Sequence, residues 1–238
     1  MPASTAKSFF WKAVRDSIPF VFVAGPFGLL FGVLATEANL DLLATMVFTT
    51  TVFAGAAQFT ALQALNDHMP TLIVIISALA VNLRVAMYSA ALTPWLGNAP
   101  FWQRALAAYF TVDQSYALSV AQYETRPDMS IPERMAYFFG TVALIAPLWY
   151  LCTLAGALLG ARIPESWALD FALPIAFLAM IAPMLRTPAH VAAALVAIVT
   201  ALLAAGLPYN LGLLVAGLAG MMAGARVEAA AERRAGVA

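Results

Sequence analysis

The sequence predicts an all-α fold, a polytopic membrane helical bundle of about eight (7–8) transmembrane helices, some of them interrupted. Of the 238 residues, 63% are hydrophobic and 10% are charged, and the mean hydropathy is +0.86. Soluble domains are about 45–50% apolar and about 25% charged, so this chain needs lipid to cover its apolar surface. Apolar runs of about the 20 residues that cross a hydrocarbon core recur along nearly the whole chain.

Eight apolar runs are predicted as spans, and prolines separate the last three. The runs are 18–35, 46–65, 71–93, 101–122, 133–161, 169–185, 189–206 and 208–225. Pro147 in the middle of the fifth run predicts a kinked or tilted helix. The last three runs are short, and two helices plus a re-entrant segment would fit them nearly as well. We expect one transmembrane transporter domain over 1–238, with a bundle at 18–225 and cytoplasmic segments at 1–17 and 226–238.

The positions of the basic residues predict the orientation. With eight spans and the N-terminus inside, only two basic residues are external, Arg104 and Arg162. Nine are cytoplasmic, as the positive-inside rule requires, and the remaining one, Arg84, lies within a span. The cytoplasmic set is Lys7, Lys12, Arg15, Arg126, Arg134, Arg186, Arg226, Arg233 and Arg234. We therefore expect a multi-pass protein of the inner membrane.

Several functional classes find no support in the sequence. The formal net charge of zero gives no basic footprint for nucleic acid. Cys152 is the only cysteine, so no disulfide framework can form. His68 and His190 have no second histidine or cysteine nearby, so no metal site is predicted. Without a clustered catalytic constellation we expect neither an enzyme nor a cofactor.

Two charged residues lie close to the middle of predicted spans. Arg84 is about 3 Å past the centre of the third span, and Asp113 is about 2 Å past the centre of the fourth. A short link makes the two helices antiparallel neighbours, so the predicted offset of about 5 Å lies within the reach of an arginine. The pair is either a structural tie between helices or a site for substrate or a coupling proton, and ionisable residues at this depth are usually functional.

Polar and aromatic neighbours extend this predicted site. Asn82 and Tyr88 lie on the same span as Arg84. Tyr109, Asp113 and Tyr116 have the i, i+4, i+7 spacing of one helix face. Interhelical hydrogen bonding is the alternative role for most single Ser, Thr and Tyr residues here.

The first two spans carry sequences that predict broken helices. The first contains Gly25-Pro26-Phe27-Gly28, and the second contains Gly55 close to Gln58. Paired interrupted segments indicate transporter sites, because freed backbone N–H and C=O groups can bind a carboxylate or an ammonium. The alternative is close helix packing at GxxxG pairs, namely Gly28–Gly32, Gly156–Gly160 and Gly220–Gly224.

These segments resemble the AzlC family of branched-chain amino acid exporters. The matching pieces are Pro26–Gly32, Val52–Phe59, Asn82-Leu83-Arg84 with Met87-Tyr88-Ser89, and Asp113 after Phe110-Thr111. The resemblance covers nearly the whole chain and implies export of valine, leucine, isoleucine or related amino acids. It also implies a small AzlD-like membrane partner. Gln114 replaces the glutamate that usually follows the aspartate, and Val85 replaces a common histidine. If either carries protons in the family, coupling here rests on Asp113 alone or differs.

The predicted mechanism is a carrier with its site at the middle of the membrane. Arg84 and the N–H groups of the first span attract the substrate carboxylate. Asp113, with Gln58 and Asn82, takes the ammonium or the coupling proton. The apolar side chain is expected in a pocket lined by Phe27, Phe53, Phe59 and Tyr88, and Gly55 is a further predicted substrate-binding residue. A channel and a structural subunit of a membrane complex are the alternatives.

Overall fold

The computed structural model describes residues 5–160, 185, 187–207 and 211–234, which are helical apart from short connections and contain no strand. It confirms the helical membrane-bundle fold. The chain forms two compact units, Met1–Leu169 and Asp170–Ala238, and the single domain over 1–238 stays a prediction. The helices of the first unit are α1 Ala6–Glu37, α2 Leu42–Thr51, α3 Gly55–Asn66, α4 Thr71–Leu96, α5 Phe101–Tyr109, α6 Asp113–Thr125, α7 Ile131–Ala143 and α8 Ile145–Gly160.

The first helix, α1, is one unbroken helix, so the predicted interruption at Gly25–Gly28 is wrong. It packs parallel to α7 and α8. Residues near the start of α1 contact residues of α7, and residues near the end of α1 contact residues near the end of α8. A Cβ on Gly32 would lie 2.1 Å from the Thr153 carbonyl oxygen, and one on Gly156 would lie 2.0 Å from that of Leu29. The glycines therefore serve close packing, and the N–H groups near Pro26 are not exposed as a carboxylate site.

The fifth predicted span is interrupted where Pro147 requires it. The break between α7 and α8 falls at Leu144. A proline has no N–H to donate to the carbonyl four residues earlier, here that of Ala143, which is the last residue of α7. Residues 131–160 nevertheless remain long and apolar enough to cross a membrane together.

Helices α2 and α3 form a re-entrant hairpin, which we call hairpin A (residues 42–66). A short link connects the end of α1 to the first residue of hairpin A, and a second short link connects its last residue to α4. The far end of α4 packs with the beginning of α1 in one core containing Leu96 and Phe9. Both ends of hairpin A therefore lie at the opposite end of the unit from Phe9. The Gln58 amide, which donates to Thr49 Oγ1 at 3.1 Å, ties the two arms together near their tip.

Helices α5 and α6 form a second hairpin, hairpin B (residues 101–125), which enters from the other end. It starts directly after α4, where Arg104 donates to the carbonyl of Gly97. It finishes beside Trp95 of α4, whose ring centroid lies 5.8 Å from that of Tyr123. Both ends of hairpin B thus share the end of the unit at which α1 begins.

The two hairpins make the first six helices an inverted repeat. Each half has a long helix followed by two short helices with a three-residue break, at 52–54 and at 110–112. The arms have 10, 12, 9 and 13 residues, or roughly 14–20 Å, about half of a 30 Å hydrocarbon core. Among the described residues, three stretches are long and apolar enough to cross: 6–37, 71–96 and 131–160. Runs 46–65 and 101–122, predicted as single crossing spans, are instead each broken into two short helices, and the second helix returns to the end of the unit from which the first one starts.

This topology also corrects the predicted position of Arg104. The eight-span scheme made Arg104 external, but its contact with Gly97 places it at the end where α1 begins. We call this the basic end, because it also carries Lys12, Arg126 and Arg134. Lys12 pairs with Asp16 at 2.9 Å, and the Arg134 guanidinium donates to the carbonyl of Trp95 at 3.2 Å. The basic residues of this part of the chain are therefore still more one-sided than predicted.

The second unit contains α9, Pro188–Leu203, and α10, Leu211–Arg234. The two helices pack antiparallel, since Gly212 meets Ala204 while Gly224 meets Ala189. A Cβ on Gly220 would lie 2.8 Å from the carbonyl oxygen of Ala193, so this glycine pair serves packing, as its GxxxG alternative predicts. The predicted spans 189–206 and 208–225 correspond to these helices, with α10 extending nine residues further. Span 169–185 lies outside the described residues except for its last residue.

Candidate functional site

An ion pair forms at the middle of α4, as the sequence predicts. Arg84 Nη2 lies 3.1 Å from Asp113 Oδ2. Arg84 is about 20 Å along the helix from Thr71 and about 18 Å from Leu96. Asp113 is the first residue of α6, where the positive end of the helix dipole favours a carboxylate. The helix geometry from which this pair was predicted is wrong, however. The sequence suggested that Asp113 lies on a helix antiparallel to that of Arg84, whereas α6 runs parallel to α4 and only α5 is antiparallel to it.

The ion pair leaves two buried polar atoms without partners. The side chains of Arg84 and Asp113 as a whole remain 27% and 40% exposed. Arg84 Nε and Asp113 Oδ1 are themselves buried and have no hydrogen-bond partner in the part of the chain that the structure describes. Separation of the pair would present a guanidinium and a carboxylate, which complement the carboxylate and ammonium of a zwitterion.

A tyrosine stack supports the pair from the basic end. The rings of Tyr88 and Tyr116 lie 4.3 Å apart with an interplanar angle of 10°. Tyr88 also interacts electrostatically with Asp113. The predicted single face of Tyr109, Asp113 and Tyr116 is wrong, because the helix breaks between Tyr109 and Asp113.

The tips of the two hairpins meet beside the third long segment. Phe53 at the tip of hairpin A contacts Tyr109 and Phe110 of hairpin B, with ring centroids 6.0 and 5.5 Å away. The Tyr109 hydroxyl donates to the carbonyl of Thr50 and shares a 2.9 Å hydrogen bond with the hydroxyl of Tyr150. The predicted binding residue Phe53 thus belongs to the junction between the hairpins.

The predicted residues Gln58 and Gly55 lie inside hairpin A. Gln58 is fully buried, and its Oε1 has no partner among the described residues. Thr49 Oγ1 accepts both from its amide and from Trp149 Nε1, at 3.1 and 2.9 Å. A Cβ on Gly55 would lie 3.1 Å from the Trp149 ring, so the glycine lets this ring approach the start of α3. No hydrogen bond of the described residues joins Gln58 to Arg84 or Asp113.

The remaining predicted residues occupy two further places. Phe27 and Phe59 pack edge to face, with centroids 6.0 Å apart, and Phe59 also packs on Phe31. Asn82 borders an apolar cavity of about 270 Å³ between hairpin A and α4. Its position two residues from Arg84 puts it on the other side of α4. None of Phe27, Phe53, Phe59 and Tyr88 lines this cavity, and their roles in substrate binding stay predictions.

Sequence reasoning missed Thr49, Trp149 and Tyr150. They lie in apolar or threonine-rich stretches that carry no charge. Their importance arises from contacts about 100 residues apart in the chain, such as Thr49 with Trp149. Among the described residues, no group of three His, Cys, Asp or Glu side chains could hold a metal ion.

Comparison with known proteins identifies relatives of this chain. The AzlC protein family matches residues 19–163, which is more than half of the chain. An uncharacterized membrane protein of Helicobacter pylori strain ATCC 700392 / 26695 is 24% identical over 176 residues, covering 72% of this chain and 75% of the relative. An uncharacterized membrane protein of strain J99 / ATCC 700824 is 23% identical with the same coverage. No solved structure matches the chain.

Proposed function

Because the chain belongs to the AzlC family, a membrane protein family linked to amino acid transport, we propose that it is a carrier that exports branched-chain or related small hydrophobic amino acids. The carrier is a multi-pass protein of the inner membrane. Its basic end faces the cytoplasm, since cytoplasmic segments carry the excess of Lys and Arg. Hairpin A then enters from outside and hairpin B from inside.

The observation that carries this proposal is the Arg84–Asp113 pair beside the two hairpin tips. A charged pair halfway along a membrane helix is costly and is kept mainly where it binds substrate or ions. The guanidinium of Arg84 and the carboxylate of Asp113 match the two charges of an amino acid, and each retains one buried polar atom without a partner among the described residues. Broken helices that meet at this depth are also the usual construction of substrate sites in secondary transporters.

In the proposed cycle, Arg84 binds the substrate carboxylate and Asp113 takes the ammonium or the coupling proton. The amino acid separates the two members of the ion pair as it enters between them. A ligand that offers both charges replaces the interactions that it disrupts, whereas a neutral solute or an inorganic ion cannot. This distinguishes a carrier for zwitterions from a simple pore.

We further propose that the chain acts with a small AzlD-like membrane partner, which the family resemblance supports. Two alternatives, a channel and a structural subunit, make different predictions. A channel gives flux that does not saturate and is not accelerated by substrate on the far side. If the chain is a structural subunit, the flux depends on the partner and does not change when Arg84 is replaced.

The test is substrate counterflow in proteoliposomes that contain the chain alone or with the candidate partner. Leucine, valine and methionine are compared, with wild type, Arg84→Gln and Arg104→Gln. We expect saturable exchange that Arg84→Gln reduces at least tenfold, and that Arg104→Gln, a matched loss of one arginine at the basic end, leaves near wild type. Exchange that survives Arg84→Gln would remove the ion pair from the substrate site.

A further inference from the structure

The two hairpins occupy opposite routes to the ion pair. Hairpin A fills the half of the first unit away from the basic end, with its tip at residues 52–54. Hairpin B fills the other half, where its second arm joins a packed core that includes Phe9, Tyr123 and Tyr137. On the route that the proposed function gives it, a solute passes one tip and then the other, and the two tips are in contact with each other.

One side chain provides the hydrogen bond that joins the tips. Tyr109 ends the first arm of hairpin B, and its hydroxyl donates to the carbonyl of Thr50 in the last turn of α2. Carbonyls in the last turn of a helix have no partner within the helix, so this contact satisfies a group that the break has freed. The same hydroxyl shares a hydrogen bond with Tyr150, which ties both tips to α8.

The ring of Tyr109 makes a separate contribution. It stacks on Phe53 with an interplanar angle of 29°, and Phe53 also packs on Tyr150 at 5.6 Å. Replacing Tyr109 by phenylalanine removes the hydroxyl bonds and keeps the ring, so hydrogen bonding and packing can be tested independently. This change removes no partner of the ion pair, because no hydrogen bond or ion pair of the described residues joins Tyr109 to Arg84 or Asp113.

We propose that Tyr109 is a positioning residue for transport, and that its hydroxyl latches the tip of hairpin A to the tip of hairpin B in the closed state. The inference rests on the proposed carrier function. Release of this latch is the step that lets one tip withdraw while the other still blocks the path. Tyr150 supports the latch by holding the Tyr109 hydroxyl in place.

The test measures access to the tip without any substrate. Cys152, the only native cysteine, is replaced by alanine, and Thr51→Cys places a thiol at the exposed end of α2. Labelling by a membrane-impermeant thiol reagent is then followed in proteoliposomes, with and without Tyr109→Phe. Loss of a hydrogen bond shifts a two-state equilibrium by about two- to tenfold, and we expect labelling to rise by that factor.

A matched control separates the latch from general stability. Tyr123→Phe also removes a tyrosine hydroxyl from a backbone carbonyl, that of Arg134 at 2.8 Å, but far from the tips. We expect Tyr123→Phe to lower thermal stability without raising the labelling of residue 51. Tyr150→Phe should raise labelling less than Tyr109→Phe. In counterflow, Tyr109→Phe should change the maximal rate and leave the KM near wild type.

Equal labelling in wild type and Tyr109→Phe would overturn the proposal. A rise in labelling with Tyr123→Phe that is as large as the rise with Tyr109→Phe would also overturn it. Because labelling needs no substrate, a failure of leucine exchange would count against the proposed function and leave the latch standing.

Discussion

Replacing Asp113 by asparagine removes the negative charge of the central pair while keeping nearly the same shape. At 3.1 Å from Arg84, and with an effective dielectric constant of about 20, the lost Coulomb attraction is about 5 kcal/mol before solvation is counted. Partial exposure of both side chains reduces the net effect. Breaking a fully buried pair costs about 3–5 kcal/mol and a surface pair about 0–1, so about 2 kcal/mol is expected here.

The Asp113→Asn change has two measurable consequences. The first follows from this energy and is a lower melting temperature in detergent. The second is leucine counterflow that falls at least tenfold at pH 7, because the variant lacks the carboxylate that takes the substrate ammonium, and about 1.4 kcal/mol of lost binding corresponds to a factor of ten. If Asp113 also carries the coupling proton, the remaining exchange is no longer accelerated by a proton gradient. Asp113→Asn that transports normally with an unchanged pH profile would refute the coupling role.

Asp128→Asn is the matched control for this change. It removes one carboxylate that pairs with an arginine, Arg126, in an exposed loop at the basic end. The hydrogen bonds from Arg126 hold the pKa of Asp128 below its usual range, so this group stays ionised throughout the assay. Its loss should leave both the exchange rate and the pH profile unchanged.

Further predictions concern packing and the inside of hairpin A. Gly32→Ala should lower the melting temperature strongly, because its Cβ would lie 2.1 Å from a backbone oxygen and α1 must separate from α8, at a cost of about 1–3 kcal/mol. Gly217→Ala, with nothing within 4 Å, is its control and should be neutral or stabilising. Trp149→Phe should destabilise by about 1 kcal/mol through the lost bond to Thr49. Thermal unfolding of the purified proteins measures each effect, and equal melting temperatures for Gly32→Ala and Gly217→Ala would contradict the packing account.

The composition and the recurring apolar runs were enough to predict the fold class. The central ion pair could be predicted because Arg84 and Asp113 are charged residues within apolar runs. Composition could not show which runs turn back. The break at 52–54 falls directly before Gly55, so the interruption predicted in the second span is confirmed, but no local pattern indicated that the chain reverses there. Conversely Pro26, beside two glycines, looked like a break and lies in a continuous helix packed against α8.

The direction of a short helix also depends on distant contacts. Arg84 meets Asp113 by way of the parallel helix α6, whereas the sequence suggested an antiparallel neighbour. Both arrangements place the two residues at similar depth, so the contact was predicted correctly from an incorrect topology. The junction of Phe53 with Tyr109 and Tyr150 forms only when both hairpins are folded. No local sequence pattern therefore predicts it.

The central claim is that two hairpins enter the membrane from opposite sides, and sidedness of labelling tests it most directly. In a Cys152→Ala background, single cysteines at Asn39, Asp67, Asn98 and Pro127 are exposed to an impermeant thiol reagent in intact cells and in inverted vesicles. The structure predicts that positions 39 and 67 are both labelled from outside, and positions 98 and 127 both from inside. Labelling of 39 and 67 from opposite sides would show that residues 42–66 cross the membrane, and would contradict the account.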